Sequence, residues 1–297
     1  MNWSNYNDVI AQMRSIGLLV DSLDVGRLRR CKVDGDREKR GWYSLHELTL
    51  DSGDCVLVGS YGIWRGAEAN AQKIDLKRSA LSADQRAALK ARIAADMKAA
   101  EARRRGEASR AAMRAQKVWE LCSKDGDAAY LHRKGVQGHG VRFSPKGAVV
   151  IPMLDTSARI HGLQFIHAEK RQGRDKDFWP AGLAKTGHFF HVGPQPTSIL
   201  LVGEGYATAA SLFEASGWPV AVAFDAGNLL HVAQALAKRH KGVKILICAD
   251  DDYLTEGNPG VTAASTAALA VDGAWVKPEF AADRDGKKIT DFNDLHA

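Results

Sequence analysis

The stretch ILLVGEGYATAASLFEASG, Ile199–Gly217, passes from an apolar run to a helix-like one across the dipeptide Glu204-Gly205. The run before Glu204 is short and apolar on both faces, as a strand is when both sides of its sheet are covered. The helix-like stretch after it stops at Gly217 and Pro219, a glycine and a proline at the places where helices end. A single carboxylate therefore closes a buried strand, with no basic residue in the stretch to neutralise it. The sequence that follows repeats the alternation. Strand VAVAF leads through the turn DAGN to helix LLHVAQALAKRH and Gly242. Strand VKILICA then leads to Asp250-Asp251-Asp252, a loop holding Asn258-Pro259-Gly260, and helix VTAASTAALAV. A short WV and the segment KITDFNDLHA close the unit. Short apolar strands alternating with helices predict a parallel sheet flanked by helices.

In an open parallel sheet, functional groups collect outside the carboxyl ends of the strands. Glu204 stands at one such end and Asp250–Asp252 at another. Residues two apart in extended backbone share a face, so Asp250 and Asp252 converge while Asp251 points away. Converging carboxylates in a partly dry crevice repel one another. A divalent cation relieves the repulsion, and hard oxygen ligands select magnesium or manganese, with no zinc expected. Two such ions would hold the attacking and leaving oxygens of a phosphoryl displacement. Gly205 lets backbone or phosphate come close beside Glu204. DDDYLTEGNPG is not an EF-hand, because its glycine and glutamate miss the required loop positions. Neither a Walker phosphate loop nor a Ser-His-Asp arrangement is found.

The chain has 297 residues, 45% of them hydrophobic, enough for two or three domains. A formal charge of +6 suits a polyanionic partner without requiring one. The cysteines Cys31, Cys55, Cys122 and Cys248 show no CxxC spacing, which speaks against a structural zinc site and suits a reducing cytoplasm. No apolar run approaches the roughly 20 residues of a membrane span, and the polar start MNWSNYNDVIAQMRS has no signal-peptide core. The expectation is a cytoplasmic protein without membrane contact.

Residues 1–78 read as a β-rich unit. Val9, Ile10, Met13, Ile16 and Leu19 predict a helix over Asn5–Leu19, and GWYSLHELTL and CVLVGSYGIW predict a hairpin across the turn DSGD. Trp42, Tyr43, Tyr61 and Trp64 either stack bases or pack a small β-core. Residues 79–122 turn to Ala, Arg, Lys and Glu without proline, predicting one or two long basic helices with Ser82 as N-cap. Their cations, among them Lys90, Arg103, Arg110 and Arg114, either meet phosphate or form a solvated face. Residues 123–197 read as mixed α/β, with a short helix in DAAYLHRKGV and strands in VRFSPKGAVVIPML and ARIHGLQFIHA. RQGRDKDFWPAGLAKTGHFFHVG reads as a basic, aromatic-bearing loop before a strand. Residues 198–297 are the parallel unit. Lys170, Arg171, Arg174, Lys176 and Lys185 precede the Glu204 strand, where polyanion phosphates would need neutralising. His188 and His191 in HFFH are read as alternating strand positions rather than metal ligands.

EGYATA at Glu204–Ala209 resembles the signature of the Toprim primases of conjugative plasmids and satellite phages. ADDD at Ala249–Asp252 is similar to the Toprim DxD motif, and TDFNDL at Thr290–Leu295 to the closing acidic motif of that group. Upstream, YLHRKGV, RFSPKGAVVIPMLD, ARIHGL and the basic stretch through Lys176 and Lys185 follow the order of the bacterial replicative primase core. The resemblance covers roughly residues 125–297. It implies a Toprim parallel sheet at 198–297, a primase subdomain at 123–197, and metal binding by Glu204, Asp250, Asp252, Asp291 and Asp294, with Asn293 beside them. Replicative primases keep an aspartate where this chain has Thr208 and another where it has Asn293, so the resemblance implies a second ion that is weaker or shared with nucleotide phosphates. The family's N-terminal zinc ribbon is not found.

The resulting expectation is a DNA primase core, a nucleotidyltransferase. The 3′-hydroxyl of one nucleotide attacks the α-phosphate of the next, pyrophosphate leaves, and single-stranded DNA selects the bases. Glu204, Asp250 and Asp252 are the catalytic acids. Arg142 and the basic residues through Lys185 hold template and NTP phosphates, and a replicative helicase is a further candidate partner. Two rivals use the same residues differently: a Toprim nuclease with water as nucleophile, and a non-catalytic single-strand-binding replication module.

Overall fold

The computed structural model describes all residues except 1–2, 37, 51, 65–69, 77–82, 172–173, 282–283, 285–288 and 297. The expected N-cap Ser82 and the first residue of the DSGD turn lie outside the described residues. The chain divides into two compact units, Met1–Arg105 and Gly106–Ala297.

The first unit is a five-stranded antiparallel sheet in the order β1 (Leu18–Leu19), β2 (Leu28–Val33), β3 (Gly41–Thr49), β4 (Cys55–Ile63) and β5 (Gln72–Lys73). The β3–β4 hairpin forms where it was expected, in continuous register from Gly41↔Ile63 to Thr49↔Cys55. Helix α1 (Tyr6–Ser15) buries Val9 and Met13 against this sheet's core. The helix is shorter than the predicted Asn5–Leu19. Gly17 takes φ 85 and its N–H donates to the carbonyl of Arg14, so the chain turns and Leu19 pairs in β1 instead. Trp42, Tyr43 and Tyr61 are buried, and the Tyr43 hydroxyl donates to the carbonyl of Ser22, so these rings pack a core. Trp64 is the more exposed of the four.

Helix α2 (Ala83–Leu121) is a single long helix, and the boundary between units falls within it. Its last turns belong to the second unit, where Ala115, Val118 and Trp119 pack with Val150, Leu163 and Trp179. In that unit β6 (Arg142–Phe143), β7 (Val149–Leu154), β8 (Ile160–Arg171) and β9 (Arg174–Trp179) form an antiparallel sheet in sequence order, beside the short helix α3 (Ala129–Lys134). The segment read as a basic loop thus begins with a strand before running on as loop: β9 pairs with β8 from Leu163↔Trp179 to Ile166↔Lys176. RDKDFW carries charge on both faces, so no apolar alternation marks it as an edge strand.

The last sheet has the order β10 (Phe190–Val192), β12 (Val220–Val222), β11 (Ile199–Gly203), β13 (Lys244–Cys248) and β14 (Ala274–Val276). All neighbours in it are parallel except β10 with β12. Helix α4 (Tyr206–Ser216) packs on one face; helices α5 (Ala226–Arg239) and α6 (Pro259–Leu269) cover the other. This is the α/β arrangement expected from the strand–helix alternation, and it brings the ends of β11 and β13 side by side.

The short helix α7 (Phe292–His296) closes the unit, fastened by the buried Asn293 amide. That amide donates to the Lys134 carbonyl at 2.7 Å and to Ser211 Oγ at 3.0 Å, joining α7 to α3 and α4. Asn293→Ala strands those two acceptors. It is expected to lower unfolding free energy by about 1–3 kcal/mol in denaturant titration, with the folded secondary structure intact.

Candidate metal centre at the carboxyl ends of the parallel strands

Glu204 follows the last residue of β11, and Asp250 and Asp252 follow β13. Because β11 and β13 are hydrogen-bonded neighbours with Gly203 opposite Cys248, the two acidic ends emerge together. Burial raises the Glu204 carboxyl to about 7, helped by the charges of Asp252 and Asp225. Burial likewise raises Asp250 to about 8, with Glu204, Asp291 and Asp252 adding to the effect. Neighbouring charge thus makes Glu204 and Asp250 harder to ionise. Glu204 Oε1 and Asp250 Oδ1 are buried and have no hydrogen-bond partner.

The three aspartates of ADDD divide their work by strand phase. Asp251 is buried and turned away from Glu204. It pairs with Arg284, with Lys277 at 3.1 Å and with the Asn258 amide at 2.7 Å. Those hydrogen bonds hold its carboxyl below the usual range despite burial, which acts in the opposite direction. The Arg284 guanidinium is stacked between Tyr253, 3.7 Å from the ring centroid, and Phe280, at 4.9 Å. Asp252 accepts from the amide of Gly260 at 3.1 Å. A Cβ at Gly260 would stand 2.3 Å from the Asp250 carbonyl, so the first turn of α6 reaches the acids only as glycine.

Asp291 lies within electrostatic reach of Asp250 and caps α7. Its Oδ1 accepts from the Asp294 amide at 2.9 Å. Asp294 answers with Oδ2, accepting from the amides of Thr290 at 2.8 Å and Asp291 at 3.3 Å, and it lies 3.7 Å from the Lys134 ammonium. Asp294 is thereby occupied by a reciprocal cap, and Asn293 faces α3 and α4 rather than the acids.

The basic residues separate. Lys176 acts on both Glu204 and Asp250 from β9. Arg174 is exposed on that strand and shares the face of Lys176 and Phe178. Lys185 pairs with Asp225. Arg142 is not brought to the acids: its guanidinium lies 4.5 Å from the Trp119 ring centroid and donates to the Trp119 carbonyl at 2.6 Å. The side chains of Lys170 and Arg171 lie outside the described residues. Asp225 was read only as part of a turn, yet it follows an apolar strand just as Glu204 does, and that signal would have found it.

Among the described residues, no three His, Cys, Asp or Glu side chains form a ready-made metal-binding group. What is present is an all-oxygen set with two orphaned buried atoms, and that chemistry fits a hard divalent cation. The parallel sheet, the strand-end acids and the closing cap fall inside one recognised unit. Residues 199–297 match the Toprim domain. Along more of the chain, the sequence is similar to DNA primase TraC of Escherichia coli, 32% identical over 268 residues, which is 86% of this chain and 24% of that protein. A second Escherichia coli DNA primase TraC is 37% identical over 164 residues, covering 51% of this chain and 11% of its own length. The chain thus spans a quarter or less of the relatives it matches. Among solved structures, it is similar to the DnaG primase catalytic domain bound to single-stranded DNA, with TM-score 0.42, 14% identity, and 62% and 77% of the two chains covered. It is also similar to the zinc-binding and RNA polymerase domains of Aquifex aeolicus primase, with TM-score 0.42, 16% identity, and 95% and 78% covered. Among the described residues no helix of the Toprim segment, or elsewhere, is long and apolar enough to cross a membrane.

The raised acids of the Toprim segment fix a direction for pH. A carboxyl whose folded pKa lies above its unfolded value favours the fold while protonated, and that contribution is lost as pH rises through the folded value. The melting temperature of chelator-treated protein should therefore fall between about pH 4 and about pH 8. Glu204→Gln and Asp250→Asn should each flatten this profile in thermal unfolding scans. Magnesium or manganese should restore stability most at the alkaline end.

Proposed function

We propose that this chain is a primase core that joins ribonucleotides into short RNA primers on a single-stranded DNA template. The observation that carries this reading is the pair of partnerless buried oxygens on Glu204 and Asp250, at neighbouring strand ends of the Toprim segment. Similarity to DNA primase TraC over 86% of the chain supports priming over the other uses of such acids.

In this reading Glu204, Asp250, Asp252 and Asp291 hold magnesium or manganese. The ions, when bound, supply charge neutralisation for an in-line phosphoryl displacement. The chain's own groups arrange the reactants. Lys176, already sharing the field of Glu204 and Asp250, and Arg174 on the same strand face receive triphosphate or template phosphates. Phe178, exposed on that face, offers a ring on which a base stacks. Asp251, with Lys277 and Arg284, fixes the strand end so that Asp250 and Asp252 keep their orientation. Asp294 contributes by holding Asp291 in place rather than by ligation. Residues 1–78 serve template or partner contacts, 79–122 connect them to the primase subdomain at 123–197, and a replicative helicase is a candidate partner.

The test incubates the protein with single-stranded oligonucleotides, labelled NTPs and magnesium or manganese. Template-dependent oligoribonucleotides are expected, reduced by about a hundredfold or more in Glu204→Gln and Asp250→Asn, as for loss of a group that stabilises transition-state charge. Undiminished synthesis in both variants, or DNA cleavage without NTPs and no synthesis, would overturn the reading.

A further inference from the structure

Asp225 stands at the head of α5, where an aspartate ordinarily accepts from the first helical amides. Its side chain makes no such bond. The residue before it, Phe224, has φ 75, a left-handed conformation that bulky side chains seldom adopt and that tends to mark functional turns. The Asp225 carboxylate instead takes the Lys185 ammonium.

Several contacts hold this pair. The Lys185 ammonium lies 5.4 Å from the centroid of the Phe178 ring, and Phe178 meets Phe224 edge-on at 6.2 Å. The buried Asn228 accepts from the Gly187 amide at 2.8 Å and donates to the carbonyls of His188 at 3.0 Å and Ala223 at 2.9 Å. The segment bearing Lys185 is thereby tied to the strand end bearing Asp225. One residue on, the backbone amide of Ala226 lies near enough to the Glu204 carboxyl to lower its pKa, and β12 and β11 are parallel neighbours. Asp225 and Glu204 therefore flank the same crevice. The side chains of Lys185 and Asp225 are 36% and 37% exposed, so the pair is open to exchange with ions from solvent.

We infer that Asp225 is a further carboxylate of the cation site, and that Lys185 is its built-in counterion, holding the place that a divalent cation takes. The inference rests on the cation site proposed above. It extends the acids from two neighbouring strand ends to three, β12, β11 and β13. Without the lysine, Asp225 would add its full charge to a crevice already lined by Glu204, Asp250 and Asp252. With it, the protein carries an exchangeable cation of its own. Once displaced, Lys185 remains beside the site, available to phosphate oxygens.

The experiment is a manganese titration of the whole chain without nucleotide, reading free manganese by electron paramagnetic resonance. Asp225→Asn should weaken binding by about ten- to a hundredfold, the range seen when a group supporting a metal site is removed. Lys185→Met should tighten it, because the competitor is gone, and the double variant should bind as Asp225→Asn does. Asp225→Glu, which keeps the charge, provides the check where Asp225→Asn unfolds, and should stay near the parent affinity. Parental binding by folded Asp225→Asn, with binding lost in Glu204→Gln, would overturn this inference and leave the cation site standing. Parental binding in both would overturn the two together. Weaker binding in Lys185→Met would overturn the counterion role.

Discussion

The constraint on which the second unit depends is electrostatic crowding at the edge of a hydrophobic sheet. Parallel strands that are apolar where the sheet is buried end in Glu204, Asp250 and Asp252, so carboxylates collect at their carboxyl ends. The surrounding framework tolerates that crowding through bonds made one residue away. Asp251 is neutralised by Lys277 and Arg284, Asp291 is enlisted in a helix cap, and Asp225 is matched by Lys185. Among the described residues, Glu204 and Asp250 alone keep buried side-chain oxygens without partners. With the acids around the site satisfied, the two at its centre present oxygens whose chemistry suits positive charge.

The parallel sheet was legible because its signals are local. Each strand is a short apolar run, each helix starts after a turn, and the phase of ADDD separates Asp251 from its neighbours by alternation alone. The reading failed where a local signal is silent or misleading. The apolar spacing of α1 continues through Leu19, but one glycine at φ 85 stops the helix earlier. Strand β9 bears charge on both faces and escapes a search for alternating apolarity.

Side-chain partnerships were legible least of all, because they depend on distant residues. Asn293 sits inside an acidic motif, yet its amide serves a carbonyl 159 positions away. Arg142 belongs to a basic stretch by sequence, and to the Trp119 ring by contact. Composition identified the cationic segment before the acids; the packing of β9 and of the 184–188 segment places Lys176 within electrostatic reach of Glu204 and Asp250 and pairs Lys185 with Asp225.

The division of labour within ADDD also determines which changes the chain can survive. Asp250 and Asp252 face one way, and the Arg284–Lys277 pocket receives the residue between them. A substitution alters one of these roles, but a one-residue insertion or deletion just after β13 exchanges them all. Two aspartates would then compete for a pocket built for one, and the acidic crevice would keep a single acid from this segment. The spacing from Cys248 to Asp252 is therefore a reading frame in its own right. Homologous chains are expected to vary in side chains around it while holding its length fixed.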